Sequence, residues 1–306
     1  MGIHCLSESI PEYPVTSQTH KGMRIMKKLF IIIALWLGMR GIAVGDMAPG
    51  LADTILRAEV THDPIPVLSL EYSDMDMDMA YGVQRAYVTK RLDNDTLAGF
   101  KAGLTSRKGR RKFGLDAPIA GVLFDSGRLT DGAVVRGSGF RRPMLETEVG
   151  FIVGAPLTQP VEDTATLRKS IRAIAPVIEL PDLGFSKTKR LTGTDIIAAN
   201  ACAKQFIVGD PQPADSVDPN ALDVVLFLDG HEINRGKGRE ALGDQWRAAL
   251  WLVNTMIAQG WTLQPGQILL TGALGKMLPA KSGKYRADYG ELGEIRFEIS
   301  VETPRR

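Results

Sequence analysis

Residues 141–153 read Arg-Arg-Pro-Met-Leu-Glu-Thr-Glu-Val-Gly-Phe-Ile-Val, an apolar and β-branched run that predicts a buried strand. Side chains of a strand alternate between its two faces, so Glu146 and Glu148 share one face, opposite the residues at 149, 151 and 153. If the glutamate face is buried, the two carboxylates need a counter-charge, and their hard oxygens favour Mg²⁺ or Mn²⁺. If that face is solvated, the pair needs no ligand.

A third carboxylate follows in residues 175–182, which read APVIELPD. Glu179 ends an apolar run, where a charge requires a compensating partner. Asp182 is equally available, although its place after Pro181 indicates a loop. Three carboxylates around one cation leave positions open for a bidentate substrate, which is the arrangement of a catalytic Lewis-acid site.

Three other segments contain candidate site residues. Lys101, in GFKAGLTS (99–106), is flanked by apolar residues and can act as an acid or base if it is desolvated, or it is an ordinary surface lysine. The basic run after it, residues 107–112, indicates a solvated loop or an attraction for an anionic substrate rather than a nucleic-acid site. The turn TGALG (271–275) can offer backbone N–H groups to a carboxylate. Asn200 and Cys202 can line a pocket, although tight packing of small residues explains both of these segments nearly as well.

Composition excludes several classes of protein. The chain has 306 residues, 44% of them hydrophobic, and a net charge of +2, which are typical of a globular protein and give no sign of nucleic-acid binding. Cys5 lies in the predicted leader, so Cys202 would remain alone, without an internal disulfide or a cysteine-rich zinc site. Phosphate-binding and dinucleotide-binding glycine motifs are absent from the sequence.

The first 45 residues have the pattern of a secretory leader. Lys27 and Lys28 precede the apolar run 29–39, and Ala43 and Gly45 supply small residues for cleavage. We therefore expect a signal peptide starting at Met26, export to the periplasm and no stable membrane contact after cleavage. An uncleaved leader would instead anchor the protein in the membrane.

Periodicity predicts a strand-rich α+β chain. We expect a small helical N-terminal section over residues 46–98, including a helix from Asp74 to Lys90 capped by Ser73, and a catalytic domain over residues 99–306. Two further helices are predicted at about 164–175 and 244–259, and Asp229-Gly230 predicts a hairpin turn. Strands are predicted near residues 121–124, 133–135, 148–153, 224–228, 267–271 and 295–299.

Taken in order, GFKAGLTS, LETEVGFIV, APVIELPD, TGTDIIAANA, RGKGREALG, ALWLV and GQILLTGALG resemble the 2-keto-4-pentenoate hydratase family. This family belongs to the fumarylacetoacetate hydrolase-like superfamily and includes 4-oxalocrotonate decarboxylases. The resemblance implies a mixed β-roll or sandwich with peripheral helices, assembled into homo-oligomers. It also implies Mg²⁺ or Mn²⁺ bound by Glu146, Glu148 and Glu179, with Lys101 as acid or base.

The resemblance further implies substrate-binding and catalytic positions. Thr271, Gly272 and Leu274 would lie near the substrate carboxylate, and Asn200 and Cys202 would line the pocket. The family often has a further acid after the strand that ends at Phe124, and Asp125 is the candidate here. The chain departs from the family pattern at Ser126, beside Asp125, and at Cys202, where the family frequently has serine.

We therefore expect a hydratase that adds water to a 2-hydroxy-2,4-dienoate, a small 2-oxo acid in its other tautomer, to give a 4-hydroxy-2-oxo acid. A 2-oxo-3-enoate decarboxylase is the alternative within the family, because the same metal site would stabilise the enolate left when CO₂ departs. Hydrolysis of a C–C bond is a weaker third alternative. An exported 2-oxo-acid binding protein without turnover is the alternative from a different class.

Overall fold

The computed structural model describes residues 47–300, which form fourteen strands and six helices. The predicted leader at 1–45 and its start at Met26 lie outside the described residues. The strands are β1 (Leu97–Gly103), β2 (Ile119–Phe124), β3 (Arg128–Thr130), β4 (Val134–Arg136), β5 (Met144–Val153), β6 (Ile171–Leu180), β7 (Gln205–Val208), β8 (Gln212–Pro213), β9 (Asp223–Leu228), β10 (His231–Lys237), β11 (Ile268–Leu270), β12 (Leu274–Pro279), β13 (Gly283–Asp288) and β14 (Glu294–Ser300). The helices are α1 (47–61), α2 (Met77–Arg91), α3 (Arg107–Lys112), α4 (Thr164–Arg168), α5 (Gly193–Ala198) and α6 (Gln245–Ala258).

These strands form two mixed sheets. The larger has the order β2-β1-β11-β5-β6-β7-β3, with β12 also paired to β5 and β8 to β6. The smaller has the order β10-β9-β13-β14-β4. Most pairs are antiparallel, but β1 with β11, β3 with β7 and β4 with β14 are parallel. The predicted strand-rich α+β class is confirmed.

The larger sheet is buried on both faces. On one face the Phe151 ring of β5 packs edge-to-face against Trp246 of α6, with ring centroids 4.7 Å apart. The opposite face carries a separate apolar cluster that includes Val177, Ile268 and Leu270. A polar side chain on that second face is therefore removed from water and must find a partner in the protein or in a ligand.

The helical N-terminal section is tied to the larger sheet by buried hydrogen bonds. The Gln84 side chain of α2 donates to the Ala120 carbonyl of β2 at 2.8 Å, and the Tyr81 hydroxyl accepts from the Ala120 N–H at 3.0 Å. The cap of α2 was predicted at Ser73, which is wrong: Asp76 caps the helix by accepting from the Met79 N–H at 2.8 Å. The proposed boundary at residue 98 stays a prediction.

The helix predicted over about 164–175 is also wrong beyond its first turn. It ends at Arg168, and β6 begins at Ile171. Strand β6 pairs with β5 over almost its whole length, from Glu179 opposite Glu146 to Ile171 opposite Val153. Long-range pairing of β-branched residues thus outweighs the local helical pattern.

Other local predictions are confirmed. Helix α6 begins after Asp244, whose carboxylate accepts from the Arg247 N–H at 2.9 Å. Asp229 and Gly230 both have positive φ, at 48° and 83°, and form the turn of the β9–β10 hairpin. No helix among the described residues combines the length and the apolarity that crossing a bilayer requires.

Candidate active site

Three carboxylates meet on one face of the larger sheet. Glu146 of β5 lies directly opposite Glu179 of β6, and Glu148 follows two residues along on the same face. Each side chain offers an oxygen, and the three oxygens lie within 4.8 Å of one another. Glu148 and Glu179 are fully buried and Glu146 is half-buried, so the Glu146–Glu148 pair does not lie on a solvated face.

Lys101 completes this cluster from β1. Its ammonium group forms a buried ion pair with Glu179 Oε1 and donates to the Ala201 carbonyl at 3.2 Å. Only 3% of Lys101 is exposed, so it is not a surface lysine. The structure therefore brings together four charged groups from three strands that are distant in the sequence.

Burial and mutual charge shift the pKa of these groups. Burial, with a further contribution from the Glu179 charge, raises the pKa of Glu146 to about 7. The same causes raise the pKa of Glu148 well above its usual range, although Lys101 and the Gly272 N–H oppose them. Burial alone would lower the pKa of Lys101, but the three carboxylates, Glu179 foremost, raise it above its usual value. Lys101 is therefore a cation at neutral pH.

The unused oxygens of the buried carboxylates fit a divalent metal ion. Glu148 Oε2 accepts from the Gly272 N–H at 2.8 Å and Glu179 Oε1 contacts Lys101, so the chain holds one oxygen of each. The other oxygens, Glu148 Oε1 and Glu179 Oε2, are buried without a hydrogen-bond partner among the residues of the described range. Orphaned carboxylate oxygens are costly unless a cation binds them, and hard divalent ions prefer such ligands.

Asp182, the alternative third acid, has its carboxylate committed elsewhere. It accepts from the backbone N–H groups of Arg141 and Arg142 at 3.1 and 2.7 Å, and from Arg141 Nη1 at 3.0 Å. Arg141 also donates to the Ala58 carbonyl at 2.6 Å. Asp182 therefore joins the start of β5 to the end of β6, and the geometry favours Glu179 as the third oxygen donor.

The turn at 271–275 makes several contacts that support β5. The Gly272 N–H holds Glu148, and the Leu274 carbonyl accepts from the Thr147 hydroxyl at 2.8 Å. The Thr271 hydroxyl lies 3.0 Å from the Val149 carbonyl and 2.5 Å from Gln245 Oε1, and because both are acceptors its one proton is committed within the protein. The expected substrate contacts of this turn stay a prediction. In this structure Thr271, Gly272 and Leu274 position the metal-facing strand.

Asn200 and Cys202 occupy a left-handed turn next to Lys101, with φ values of 52° and 60°. Both polar atoms of the Asn200 side chain bond to the Val122 backbone, each at 2.8 Å, so this side chain anchors β2. Cys202 is buried, and burial raises the pKa of its thiol to about 12, which keeps it neutral. Asn200 therefore has a structural role, and the expected pocket role of Asn200 and Cys202 stays a prediction.

Asp125 does not join the cluster. Its side chain is 60% exposed and lies 3.4 Å from the Arg128 guanidinium. It lies four residues beyond Gly121, the partner of Lys101 in β2, which corresponds to about 13 Å along a strand. The geometry thus gives no support to a catalytic role for Asp125.

The matching family model, fumarylacetoacetate (FAA) hydrolase C-terminal, covers residues 115–300. The chain belongs to this family. The 2-keto-4-pentenoate hydratase 2 of Dechloromonas aromatica (strain RCB) is 33% identical over 84% of the chain and 94% of the relative. The 2-oxo-hept-4-ene-1,7-dioate hydratase of Escherichia coli is 28% identical over 80% of the chain and 95% of the relative.

A solved structure agrees with this assignment. The chain is 26% identical to 4-oxalocrotonate decarboxylase from Pseudomonas putida G7, complexed with magnesium and adipate, with a TM-score of 0.78 over 83% of this chain and 98% of that one. The predicted family and fold are confirmed, and the FAA hydrolase family member described here is an enzyme.

Sequence reasoning missed two buried residues that support the site. Gln245 contacts Thr271 and donates to the Gly238 carbonyl at 2.7 Å. The Tyr289 hydroxyl donates to the carbonyl of Val177, the residue paired with Glu148. Neither residue stands in a recognisable motif, and each acts through a contact distant in sequence, so no local pattern could have indicated it.

Proposed function

We propose that this enzyme is a divalent-metal-dependent hydratase that adds water to a 2-hydroxy-2,4-dienoate of the 2-keto-4-pentenoate type. The observation that carries the proposal is the buried set of Glu146, Glu148 and Glu179 with Lys101 against it. The likeness to 2-keto-4-pentenoate hydratases supports the substrate class.

In this proposal Glu146, Glu148 and Glu179 hold Mg²⁺ or Mn²⁺. When bound, the cation supplies Lewis-acid polarisation of the substrate carboxylate and its 2-oxygen. The Gly272 N–H keeps one oxygen of Glu148 occupied, and Lys101 does the same for Glu179. The remaining oxygens, Glu148 Oε1 and Glu179 Oε2, would then be left to bind the cation.

The chain itself contributes proton transfer and exclusion of water. Ketonisation removes the proton from O2 of the dienoate and adds one at C5, and hydration then adds hydroxide at C4 and a proton at C3. Lys101 is buried, positively charged and bonded to Glu179, so it can deliver a proton to substrate carbon and recover one from the 2-hydroxyl. Lys101 itself is buried, which limits competition from bulk water for these protons.

Decarboxylation of a 2-oxo-3-enoate is the second candidate. The likeness to the 4-oxalocrotonate decarboxylase structure favours it, and the same carboxylates and Lys101 would serve that reaction. Residue geometry does not separate the two reactions, because both pass through a stabilised enolate.

The test is an ultraviolet assay of the purified chain with 2-hydroxypenta-2,4-dienoate, with and without Mn²⁺, and product masses. Metal-dependent loss of dienoate absorbance with a gain of one water supports the hydratase, and loss of CO₂ from 4-oxalocrotonate supports the decarboxylase. The Lys101→Ala variant should lose turnover while retaining metal, and Asp125→Asn is the matched control that should retain both. Ligand protection against heat without turnover would instead indicate a 2-oxo-acid binding protein.

We also propose that the enzyme is exported, that its signal peptide is removed and that the mature chain forms a homo-oligomer without stable membrane contact. The leader pattern at residues 27–45 supports export. Cell fractionation with mass measurement of the mature chain tests cleavage and location, and light scattering tests the oligomer. Recovery of a full-length chain in the membrane fraction would contradict removal of the leader.

A further inference from the structure

Helix α3 concentrates positive charge on the surface. Five of its six residues are basic, and four of these are exposed: Arg107, Lys108, Arg111 and Lys112. Over residues 47–300, none of the five basic residues forms an ion pair with an acidic side chain, whereas basic residues elsewhere, such as Arg235 and Arg286, do. The α3 charges are therefore not neutralised by neighbouring acids.

The contacts of the preceding loop place this helix near the carboxylate cluster. A Cβ atom on Gly272 would lie 2.5 Å from the Thr105 hydroxyl oxygen, and the Gly272 N–H holds Glu148. The Cα atom of Arg107 lies at most about 8 Å from the Cα atom of Thr105, because successive Cα atoms are 3.8 Å apart. Arg110 fixes the loop by donating to the Thr105 carbonyl at 2.7 Å. The start of α3 therefore lies within about 15 Å of the site, given these contacts and that chain spacing.

We propose that α3 is an electrostatic attraction surface that favours dicarboxylate substrates over monocarboxylates. This inference rests on the proposed function and concerns the tail of the 2-hydroxy-2,4-dienoate: it favours a member of that class with a second carboxylate over 2-hydroxypenta-2,4-dienoate, which has one. A dianion gains twice the Coulomb energy of a monoanion in the same field, so the surface increases kcat/KM for the substrate with the second carboxylate and leaves kcat unchanged. Both the E. coli relative and the decarboxylase have dicarboxylates in their names.

The test reverses two of the charges with the variant Arg107→Glu/Lys108→Glu. The matched control, Lys169→Glu/Arg172→Glu, makes the same change in net charge with two exposed residues that form no ion pair in the described range. Arg172 is seven residues from Glu179 along β6, or about 23 Å. Wild type and both variants are assayed with 2-hydroxypenta-2,4-dienoate and 2-hydroxyhepta-2,4-diene-1,7-dioate at 10 mM and 500 mM NaCl.

At 10 mM salt the Debye length is about 30 Å, so charges about 15 Å apart are only partly screened. For the α3 charges and a substrate at that distance, Coulomb's law predicts that the α3 variant loses roughly tenfold in kcat/KM for the dianion and roughly threefold for the monoanion. The control should lose less than about threefold for the dianion at its greater distance. At 500 mM salt all differences should nearly vanish, since the field is screened.

Any of three results would overturn the inference while leaving the proposed function intact. These are equal losses of kcat/KM for the two substrates, a loss that does not depend on salt, and the same loss in the control variant. If the wild type consumes neither dienoate, the proposed function fails, and calorimetric titration with adipate against hexanoate in the presence of Mn²⁺ then decides the inference. Weaker binding of adipate in the α3 variant at 10 mM salt, with hexanoate less affected, supports it. Unchanged adipate affinity overturns it.

Discussion

Replacement of Lys101 by methionine should strongly destabilise the metal-free enzyme. Lys101 and Glu179 form an ion pair whose side chains are 4% and 0% exposed, and Met retains the apolar length of the lysine while removing its charge. Removing one partner of a buried pair leaves the other uncompensated and costs about 3–5 kcal/mol. The loss of unfolding free energy should be near the upper end of this range, because the Lys101 charge also offsets the mutual repulsion of the carboxylates of Glu146, Glu148 and Glu179.

The assay is equilibrium urea unfolding at pH 8 with EDTA, compared with the same measurement in saturating Mg²⁺. The cation should recover part of the lost stability, since it replaces the missing positive charge. Lys90→Met is the matched control: its pair with Asp53 is 37% and 51% exposed, and such pairs contribute about 0–1 kcal/mol. A loss below about 1 kcal/mol for Lys101→Met, equal to that of the control, would refute the account of a buried charge cluster.

Three further predictions follow from contacts in and beside the site. First, protonation of Glu146 should stabilise the metal-free enzyme, because the folded state binds this proton more tightly than the unfolded state. This contribution to the free energy of unfolding is complete below the usual pKa of 4.5 and is lost as the pH rises through about 7. Urea unfolding from pH 5 to 8 in EDTA measures the contribution, and added Mg²⁺ should reduce the dependence of the unfolding free energy on pH. Second, Gly272→Ala should weaken Mn²⁺ binding at least tenfold, as measured by calorimetry. The φ angle of Gly272 is +109° and a methyl group there would collide with Thr105, so the backbone must shift and the Gly272 N–H would move away from Glu148. Third, Asn200→Ala should lose about 2–3 kcal/mol of stability in urea unfolding, because two hydrogen bonds to buried backbone groups disappear.

Each of these has an outcome that would contradict it. A pH-independent unfolding free energy in EDTA would mean that the carboxylates do not share a buried site. Normal Mn²⁺ affinity in Gly272→Ala would mean that the turn does not position Glu148, and Gly290→Ala, with φ of +61° and open space around it, is the control for backbone strain alone. Unchanged stability of Asn200→Ala would mean that its two hydrogen bonds do not anchor β2.

The three carboxylates could be predicted from sequence because each one stands in a short, recognisable pattern of neighbouring residues. Glu146 and Glu148 are two residues apart in a strand, and Glu179 ends an apolar run, so strand alternation and the cost of buried charge indicate all three. The register that places Glu146 opposite Glu179 is a property of the β5–β6 pair, and no pattern in either segment alone specifies it.

Elements that depend on distant contacts were beyond sequence reasoning. Residues 171–175 fall at the end of a helix predicted from the sequence, yet pairing with β5 makes them a strand. The structural role of Asn200 could not be predicted either, because its partner, Val122, is 78 residues away. Asp125 was placed in the site by family resemblance, whereas the turn after β2 directs it to the surface beside Arg128.

The measurement that tests the central claim most directly is calorimetric titration of Mn²⁺ into the wild type and into Glu148→Gln, with Asp125→Asn as the control. The account predicts one Mn²⁺ per chain for the wild type and the control, and at least a hundredfold weaker binding for Glu148→Gln, because the amide removes the charge and leaves one donor oxygen. Equal Mn²⁺ affinity in Glu148→Gln and the wild type would contradict the assignment of the metal to these three carboxylates.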